Sequence, residues 1–328
     1  MSTKSVALDK KARSSGFARL ASRSEFTIGL VVVALFIAAT FGTDVFFTKT
    51  NLQNLSVQGA ITGVLAVAQT IVIITGGIDI SGGAISCLGA MSMALMLRDG
   101  ASLPMALVTN FVICILAGFL NGVIIFDLKV PAMIATLGTQ TVFRGIIKII
   151  SGGLSVPIKH DSILQIGTFN VFDSIPLLAL IWAAVGIIVF LILRYTVFGR
   201  NLFVIGSGVE VARLSGIRVR RMFYLTYASA GIIYAVAALM LAGRIVTIQP
   251  GTGSDYDMNA IAATVIGGAS LAGGRGTIAG TVIGTILMVI ISNAGQLFGI
   301  SPYTLEVVTG ALIIFAVAMD MLKSRKKG

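Results

Sequence analysis

Glu210 and Arg213, three residues apart in a stretch otherwise rich in arginine, are the side chains best placed here for specific charge chemistry. The stretch runs RYTVFGRNLFVIGSGVEVARLSGIRVRR from Arg194 to Arg221 and sets Arg194, Arg200, Arg213, Arg218, Arg220 and Arg221 against Glu210 alone. Inside it, Val209 to Gly216 is predicted to form a two-turn helix. Glu210 lies near the positive end of its dipole, Arg213 near the negative end, and Gly216 follows as the stop. Val211, Leu214 and Ile217 recur every three residues and give this rod one apolar side. Val209, Glu210, Ala212, Arg213, Leu214 and Gly216 are therefore candidates for the grip of a partner protein. The same basic amphipathic pattern equally suits a helix lying on lipid headgroups.

Residues for bond-breaking chemistry are not assembled anywhere. Cys87 and Cys114 sit inside apolar runs without CxxC spacing and read as small buried hydrophobes. His160 is the one histidine and HExxH is absent, so no metal site is expected. Gly268-Ala-Ser-Leu-Ala272 nearly matches the GxSxG nucleophile elbow, but it ends in alanine and the histidine falls in an external segment. Gly274-Arg-Gly-Thr-Ile-Ala279 fits the dinucleotide fingerprint without a βαβ unit around it. No lysine follows a glycine, so no phosphate-binding loop ending Gly-Lys-Ser/Thr can be written. The chain is expected to have no catalytic residue and no cofactor; if ATP drives its work, another chain binds the nucleotide.

The elements that must position the loop are membrane spans. Of 328 residues, 56% are hydrophobic and 11% charged, with a mean hydropathy of +0.99, whereas an average soluble domain carries roughly 25% charged residues. The net charge of +11 would suggest nucleic acid in a soluble protein. Here the basic residues punctuate apolar runs and follow from topology, so no nucleic-acid partner is expected and the lipid bilayer is the solvent.

In chain order, a basic segment (residues 1–25) precedes a span from Phe26 to Phe41, read as uncleaved because it exceeds a signal-peptide core of about 7 to 15 residues. A short outer segment with Asn51, Gln53 and Asn54 leads to spans at Val57–Thr75, Gly83–Leu97, Leu103–Phe126 and Val130–Ile150. Ser151 to Ser174 forms an external cap, and Ile175–Leu193 delivers the chain to the basic loop. Met222–Ala242, a short apolar piece at Asn259–Gly268, Thr277–Gln296 and Tyr303–Leu322 complete the set before a basic tail (residues 323–328). If the short piece crosses, about ten spans result and both termini lie in the cytoplasm. Only Lys49, Arg98, Arg144, Lys148, Lys159 and Arg244 then lie on the outer side or in the outer half. The fold class is an all-α polytopic membrane protein, a permease domain over residues 26–322 with some spans short or broken by glycine.

Glycine sets much of the packing. Gly276, Gly280 and Gly284 form a GxxxGxxxG stripe for close helix approach, and Gly59/Gly63 and Gly118/Gly122 repeat the spacing. Gly76-Gly-Ile-Asp-Ile-Ser-Gly-Gly83 and Gly267-Gly-Ala-Ser-Leu-Ala-Gly-Gly274 share GGxx[I/L]xGG, an internal echo of the kind that marks a transporter's central pathway. No carboxylate falls at an obvious midplane position, with Asp79 at a span end, which speaks against ion coupling. Neutral polar groups remain in or beside the spans: Gln69, Ser81, Asn110, Asn121, Thr136, Thr139, Gln140, Thr264, Asn293 and Gln296. Gln69, Asp79, Ser81, Asn121, Thr139, Thr264 and Asn293 are the candidates for a pathway that exchanges hydrogen bonds with an uncharged polyol; each also serves as glue between helices.

Four segments carry a family resemblance: TIVIITGGIDISGGAI (Thr70 to Ile85), VPAMIATLGT (Val130 to Thr139), VFGRNLFVIGSGVEVARLSGI (Val197 to Ile217) and QPGTGSDYDMNAIAATVIGGASLAGGRGTIAGTVIGT (Gln249 to Thr285). Together they resemble the ribose-type permeases of bacterial ABC sugar importers over roughly residues 26–322. The resemblance implies a multi-pass protein of the inner membrane that moves a pentose or hexose. It also implies a cytoplasmic ATP-binding subunit, a periplasmic sugar-binding protein, and a second permease copy or homologue as dimer partner. The helix at Glu210 would then be the coupling helix seated in a cleft of the ATPase. Ser81-Gly82-Gly83 departs from the Ser-Val-Gly common after GGIDL, and Gly206-Ser207-Gly208-Val209 lacks the asparagine common there. A self-sufficient carrier or channel for small polar solutes is the alternative.

Overall fold

The computed structural model describes residues 24–325, so the basic segment expected over residues 1–25 and the tail expected over residues 323–328 fall largely outside it. The described chain is helical: α1 (Ser24–Gly42), α2 (Lys49–Ile74), α3 (Gly82–Arg98), α4 (Leu103–Asp127), α5 (Ala132–Ser151), α6 (Asp161–Thr168), α7 (Leu177–Tyr195), α8 (Val197–Ser207), α9 (Val209–Leu214), α10 (Val219–Ile245), α11 (Tyr256–Ile266), α12 (Ile278–Leu297) and α13 (Pro302–Arg325). Two-residue strands form two antiparallel pairs, β1 (Val156–Pro157) with β4 (Thr247–Ile248) and β2 (Asn170–Val171) with β3 (Ile175–Pro176). Seven of the described helices are long and apolar enough to cross a bilayer, namely α2, α4, α5, α7, α10, α12 and α13. This is an all-α polytopic membrane fold.

Helix α2 is the axis of the bundle, with 94% of its most apolar window buried. It packs against α7, α10, α11 and α12. It begins earlier than the apolar run does, because Thr48 caps it by accepting the Asn51 N–H at 3.3 Å. Asn51, Gln53 and Asn54 therefore belong to its first turns and not to an outer segment. Asn51 Nδ2 also donates to the Phe46 carbonyl at 2.9 Å, which folds the α1–α2 connection back on the helix. At the opposite extreme, the most apolar window of α13 is 6% buried, and Tyr303, Val307, Ile314 and Phe315 face outward as lipid-exposed side chains do.

Close helix pairs follow two of the three glycine spacings; Gly59 and Gly63 instead make room for the side chains of Val289 and Trp182. A Cβ at Gly118 or Gly122 of α4 would meet the backbone of α10 at Tyr227, Gly231 or Phe223. One at Gly280 or Gly284 of α12 would meet backbone carbonyls of Gly267 and Ala263 at the end of α11, and one at Gly276 would stand 3.1 Å from the Ile74 side chain and 3.2 Å from Ala269. Apart from Gly276, which meets side chains, these glycines let backbones approach directly, where dispersion replaces the hydrophobic drive that lipid does not supply.

The segment between α5 and α7 is built, not loose. α6 packs on the end of α10 with Ile163 buried, and β1 pairs with β4. Cys87 and Cys114 are both buried and free.

Candidate functional site

The basic loop contains two helices where the sequence indicated one. Thr196 caps α8 by accepting the Gly199 N–H at 3.2 Å. α9 is shorter than expected, ending at Leu214, with Gly216 at φ +77° closing it in the left-handed conformation that glycine favours. Glu210 and Arg213 form an i,i+3 ion pair at 3.1 Å on the exposed side of α9. Ala212 is fully buried beneath the helix, while Leu214 is 88% exposed and Val211 is exposed beside it. Val211 and Leu214 thus point away from the bundle, while Ile217, the third residue of that apolar series, packs partly against the core. Beside it, Phe198 and Asn201 of α8, the turn from Ser215 to Arg218, and Arg221, Met222 and Leu225 of α10 line a cavity of ≈ 480 Å³. The start of α10 is fixed by Asp127 at the end of α4, which takes Arg220 Nε at 2.9 Å and the Tyr224 hydroxyl.

The C-terminal end of α8 reaches the core. A Cβ on Gly206 would overlap the Ile74 carbonyl at the end of α2 and the Gly274 amide, two groups already hydrogen-bonded to each other at 2.9 Å. A Cβ at Gly273 would stand 2.7 Å from the Gly206 carbonyl and 3.0 Å from the Gly76 amide. The two GGxx[I/L]xGG strings therefore meet each other and the basic loop at one backbone junction. Their second glycine pairs behave differently: Gly82 and Gly83 open α3, whereas Gly273 and Gly274, at φ +85° and +71°, form a turn before Thr277 caps α12.

From that junction the chain turns back into the bundle instead of leaving it. Gln69 Nε2 donates to the Asp79 carbonyl at 2.6 Å, so Thr75 to Ser81 runs alongside α2. Thr136 of α5 holds the neighbouring residues through the Ile80 N–H and the Ile78 carbonyl, each at 3.2 Å. α3 then starts against Tyr234, near the midpoint of α10. Asp79 is 1% exposed. Its Oδ1 accepts the Ser81 N–H at 2.8 Å and the Ser81 hydroxyl at 2.5 Å, and its Oδ2 accepts the Tyr234 hydroxyl at 3.1 Å. Asn121 Nδ2 donates to Ser81 Oγ at 2.8 Å. A second carboxylate, Asp257, is 3% exposed in the first turn of α11. It accepts the Gly83 N–H at 2.5 Å and the Gln140 amide at 3.5 Å.

The sequence placed no carboxylate at an obvious midplane position, yet two carboxylates are buried within the bundle. Asp79 goes inward because its segment doubles back, and Asp257 because α11 begins one residue before it. Both lie at the N-terminal end of α3, whose amides supply the partial positive charge that acids favour.

Of the pathway candidates, Gln69, Asp79, Ser81 and Asn121 come together in this cluster, with Tyr234 and Tyr227 as members the sequence reading passed over. Thr264 is elsewhere, bridging α11 to the Ala66 carbonyl of α2 at 3.1 Å. Asn293 forms a reciprocal amide pair with Asn51 at 2.9 and 3.0 Å, tying α12 to the start of α2. Thr139 bonds within α5, to the Thr136 carbonyl at 3.2 Å. Near it, Arg144 Nη1 holds the carbonyls of Pro250 and Thr252 at 3.0 and 2.6 Å, which fixes the Gly-rich segment before α11 to α5.

A tightly packed helical bundle with broken spans, an internal polar cluster and an exposed apolar helix on one end has the features of a membrane permease that works with other subunits. The family of branched-chain amino acid transport system permease components matches residues 51–317. The ribose import permease protein RbsC of Bacillus subtilis is 36% identical over 298 residues, covering 90% of this chain and 92% of that protein. The L-arabinose transport system permease protein AraH of Escherichia coli is 34% identical over 318 residues (94% and 96%), and the galactose/methyl galactoside import permease protein MglC of Escherichia coli is 34% identical over 324 residues (92% and 94%). The chain belongs to this family, and it is a permease component of an ABC importer.

Proposed function

We propose that this chain is the transmembrane subunit through which a bacterial ABC importer moves a monosaccharide, a pentose or a hexose, across the inner membrane. Ten crossings, made by the seven long helices with α1, α3 and α11, leave both basic ends and the α8–α9 loop in the cytoplasm, as the arginine content of that loop requires. A cytoplasmic ATPase subunit receives α9, a periplasmic binding protein delivers the sugar to the opposite face, and a second permease copy or homologue completes the pore.

The observation that carries this reading is the pairing of Leu214, 88% exposed on α9, with Gly206, wedged between Ile74 and Gly274 at the end of α8 from which α9 continues. A partner that moves α9 by its apolar side moves α8, and α8 bears directly on the two glycine-broken segments. The sugar itself needs little affinity for the permease, because alternating access is biased by ATP and by the binding protein. Similarity over nine-tenths of the chain to ribose, arabinose and galactose permeases supports a neutral sugar as cargo.

Uptake of labelled pentoses and hexoses into vesicles tests the reading. Transport is expected only with ATP inside, the ATPase subunit and the binding protein. Uptake by this chain alone would establish a self-sufficient carrier instead.

A further inference from the structure

The cluster around Asp79 has a surplus of oxygen. Three of its side-chain atoms are buried without a hydrogen-bond partner: Gln69 Oε1, Asn121 Oδ1 and the Tyr227 hydroxyl. The Gln69 and Asn121 amides are both engaged through their nitrogens, one on the Asp79 carbonyl and the other on Ser81 Oγ. Ser81 cannot satisfy the Asn121 oxygen by turning its hydroxyl, because that hydrogen is given to Asp79. Tyr227 is fully buried, and a Cβ built on Gly77 would stand 2.6 Å from its hydroxyl, which places that oxygen on the same doubled-back segment.

An ionised Asp79 would also bring a negative charge that nothing in the cluster balances. Asp79 accepts three hydrogen bonds, one short of what a carboxylate's two oxygens can take. Among the described residues the ion pairs are Arg98–Asp99, Arg213–Glu210 and Arg220–Asp127, all toward the exposed ends; Asp79 belongs to none of them, whereas Asp257 has the Arg144 guanidinium in its vicinity. A buried carboxylate with no counter-charge is costly, and so is each unpaired buried oxygen. Hydroxyl, amide and carboxylate oxygens together are a ligand set for a hard cation. A single carboxylate in direct reach balances one positive charge, whereas sites for doubly charged cations gather several carboxylates or waters.

We propose that the Asp79 cluster binds a small monovalent alkali cation, with Asp79, Gln69, Asn121 and Tyr227 as its oxygen donors. The ion pins the segment between α2 and α3 inside the bundle, next to the junction that α8 touches. It is a resident of the fold, and its presence does not depend on which solute is carried.

Thermal unfolding of the detergent-solubilised full-length chain in sodium, lithium, potassium or choline chloride at matched ionic strength tests this. The midpoint is expected to rise in at least one alkali chloride over choline, by roughly 2–4 °C for each tenfold increase in cation above its dissociation constant. Asp79→Asn is expected to abolish that dependence, and Tyr227→Phe, a milder change should the first fail to fold, to shift the titration about tenfold toward higher concentration. Thallium soaked into crystals should give an anomalous peak among these oxygens. Equal midpoints in all four salts would overturn the proposal. So would ordered water only at the site, or a midpoint that follows pH and ignores the cation, since a proton would then be what neutralises Asp79.

Discussion

Replacing Gly206 with alanine probes the junction where the basic loop meets the broken spans. The added methyl would sit inside the contact radius of the Ile74 carbonyl and the Gly274 amide, both backbone and both engaged with each other. Overpacking a tight site costs about 1–3 kcal/mol. Loss of the hydrogen bond between Gly274 and Ile74 adds about 0.5–1.5 kcal/mol. Alanine in place of glycine within α8 returns roughly 1 kcal/mol of helix propensity. The net is a destabilisation of roughly 0.5–3.5 kcal/mol, placed where α8 bears on the core. Gly138→Ala is the control: Gly138 is also helical and has nothing within 4 Å of an added Cβ, so it should be neutral or stabilising. Chemical unfolding of the two purified variants reads the first number, and ATP-driven uptake in reconstituted vesicles reads the second consequence, a loss of transport confined to Gly206→Ala. A Gly206→Ala protein as stable and as active as Gly138→Ala would refute the junction.

Charge reversal on α9 by Glu210→Lys or Arg213→Glu should leave the chain in the membrane and abolish uptake, because the pair is exposed and stabilises little by itself; membrane fractionation together with vesicle transport decides. Gly280→Leu should reduce the yield of assembled complex on co-purification, since its Cβ already collides with the Gly267 carbonyl. Asn51→Leu alone should cost about 1–3 kcal/mol by orphaning the buried Asn293 amide, whereas Asn51→Leu with Asn293→Leu should recover most of it. Equal losses in the single and double variants would mean that the amide pair is not what joins α2 to α12.

The spans themselves were legible because lipid imposes a simple requirement, a run of apolar residues long enough to satisfy its own backbone. Gly118/Gly122 and Gly280/Gly284 likewise marked faces where helices approach closely, while Gly59/Gly63 did not. Depth was much less legible. Asp79 follows an apolar run and reads as the end of a span. Only the hydrogen bonds from Gln69 and Thr136 show that the chain turns inward there. Asp257 was hidden in QPGTGSDYD, a string with every mark of a surface loop, because burial there depends on Gly83 arriving from a distant helix. Nothing in the sequence singles out Tyr227 and Tyr234, since hydropathy does not register which hydroxyl faces a carboxylate. α8 was missed for another reason: Gly199 and Arg200 interrupt its apolar residues, and the helix is held by the Thr196 cap and by packing of Leu202 and Ile205 on the core.

Site-specific crosslinking from α9 tests most directly whether this helix hands the ATPase's motion to the permease. Cys87 and Cys114 are buried, so Leu214→Cys, at the exposed tip, offers a reactive thiol at a single defined position once both are replaced by alanine. In membranes containing the full importer, a short bifunctional reagent at that thiol is expected to join the permease to the ATPase subunit, with a yield that changes when ATP is bound. Labelling of the same thiol by a membrane-impermeant reagent added from the periplasmic side, with no product to the ATPase, would contradict the account.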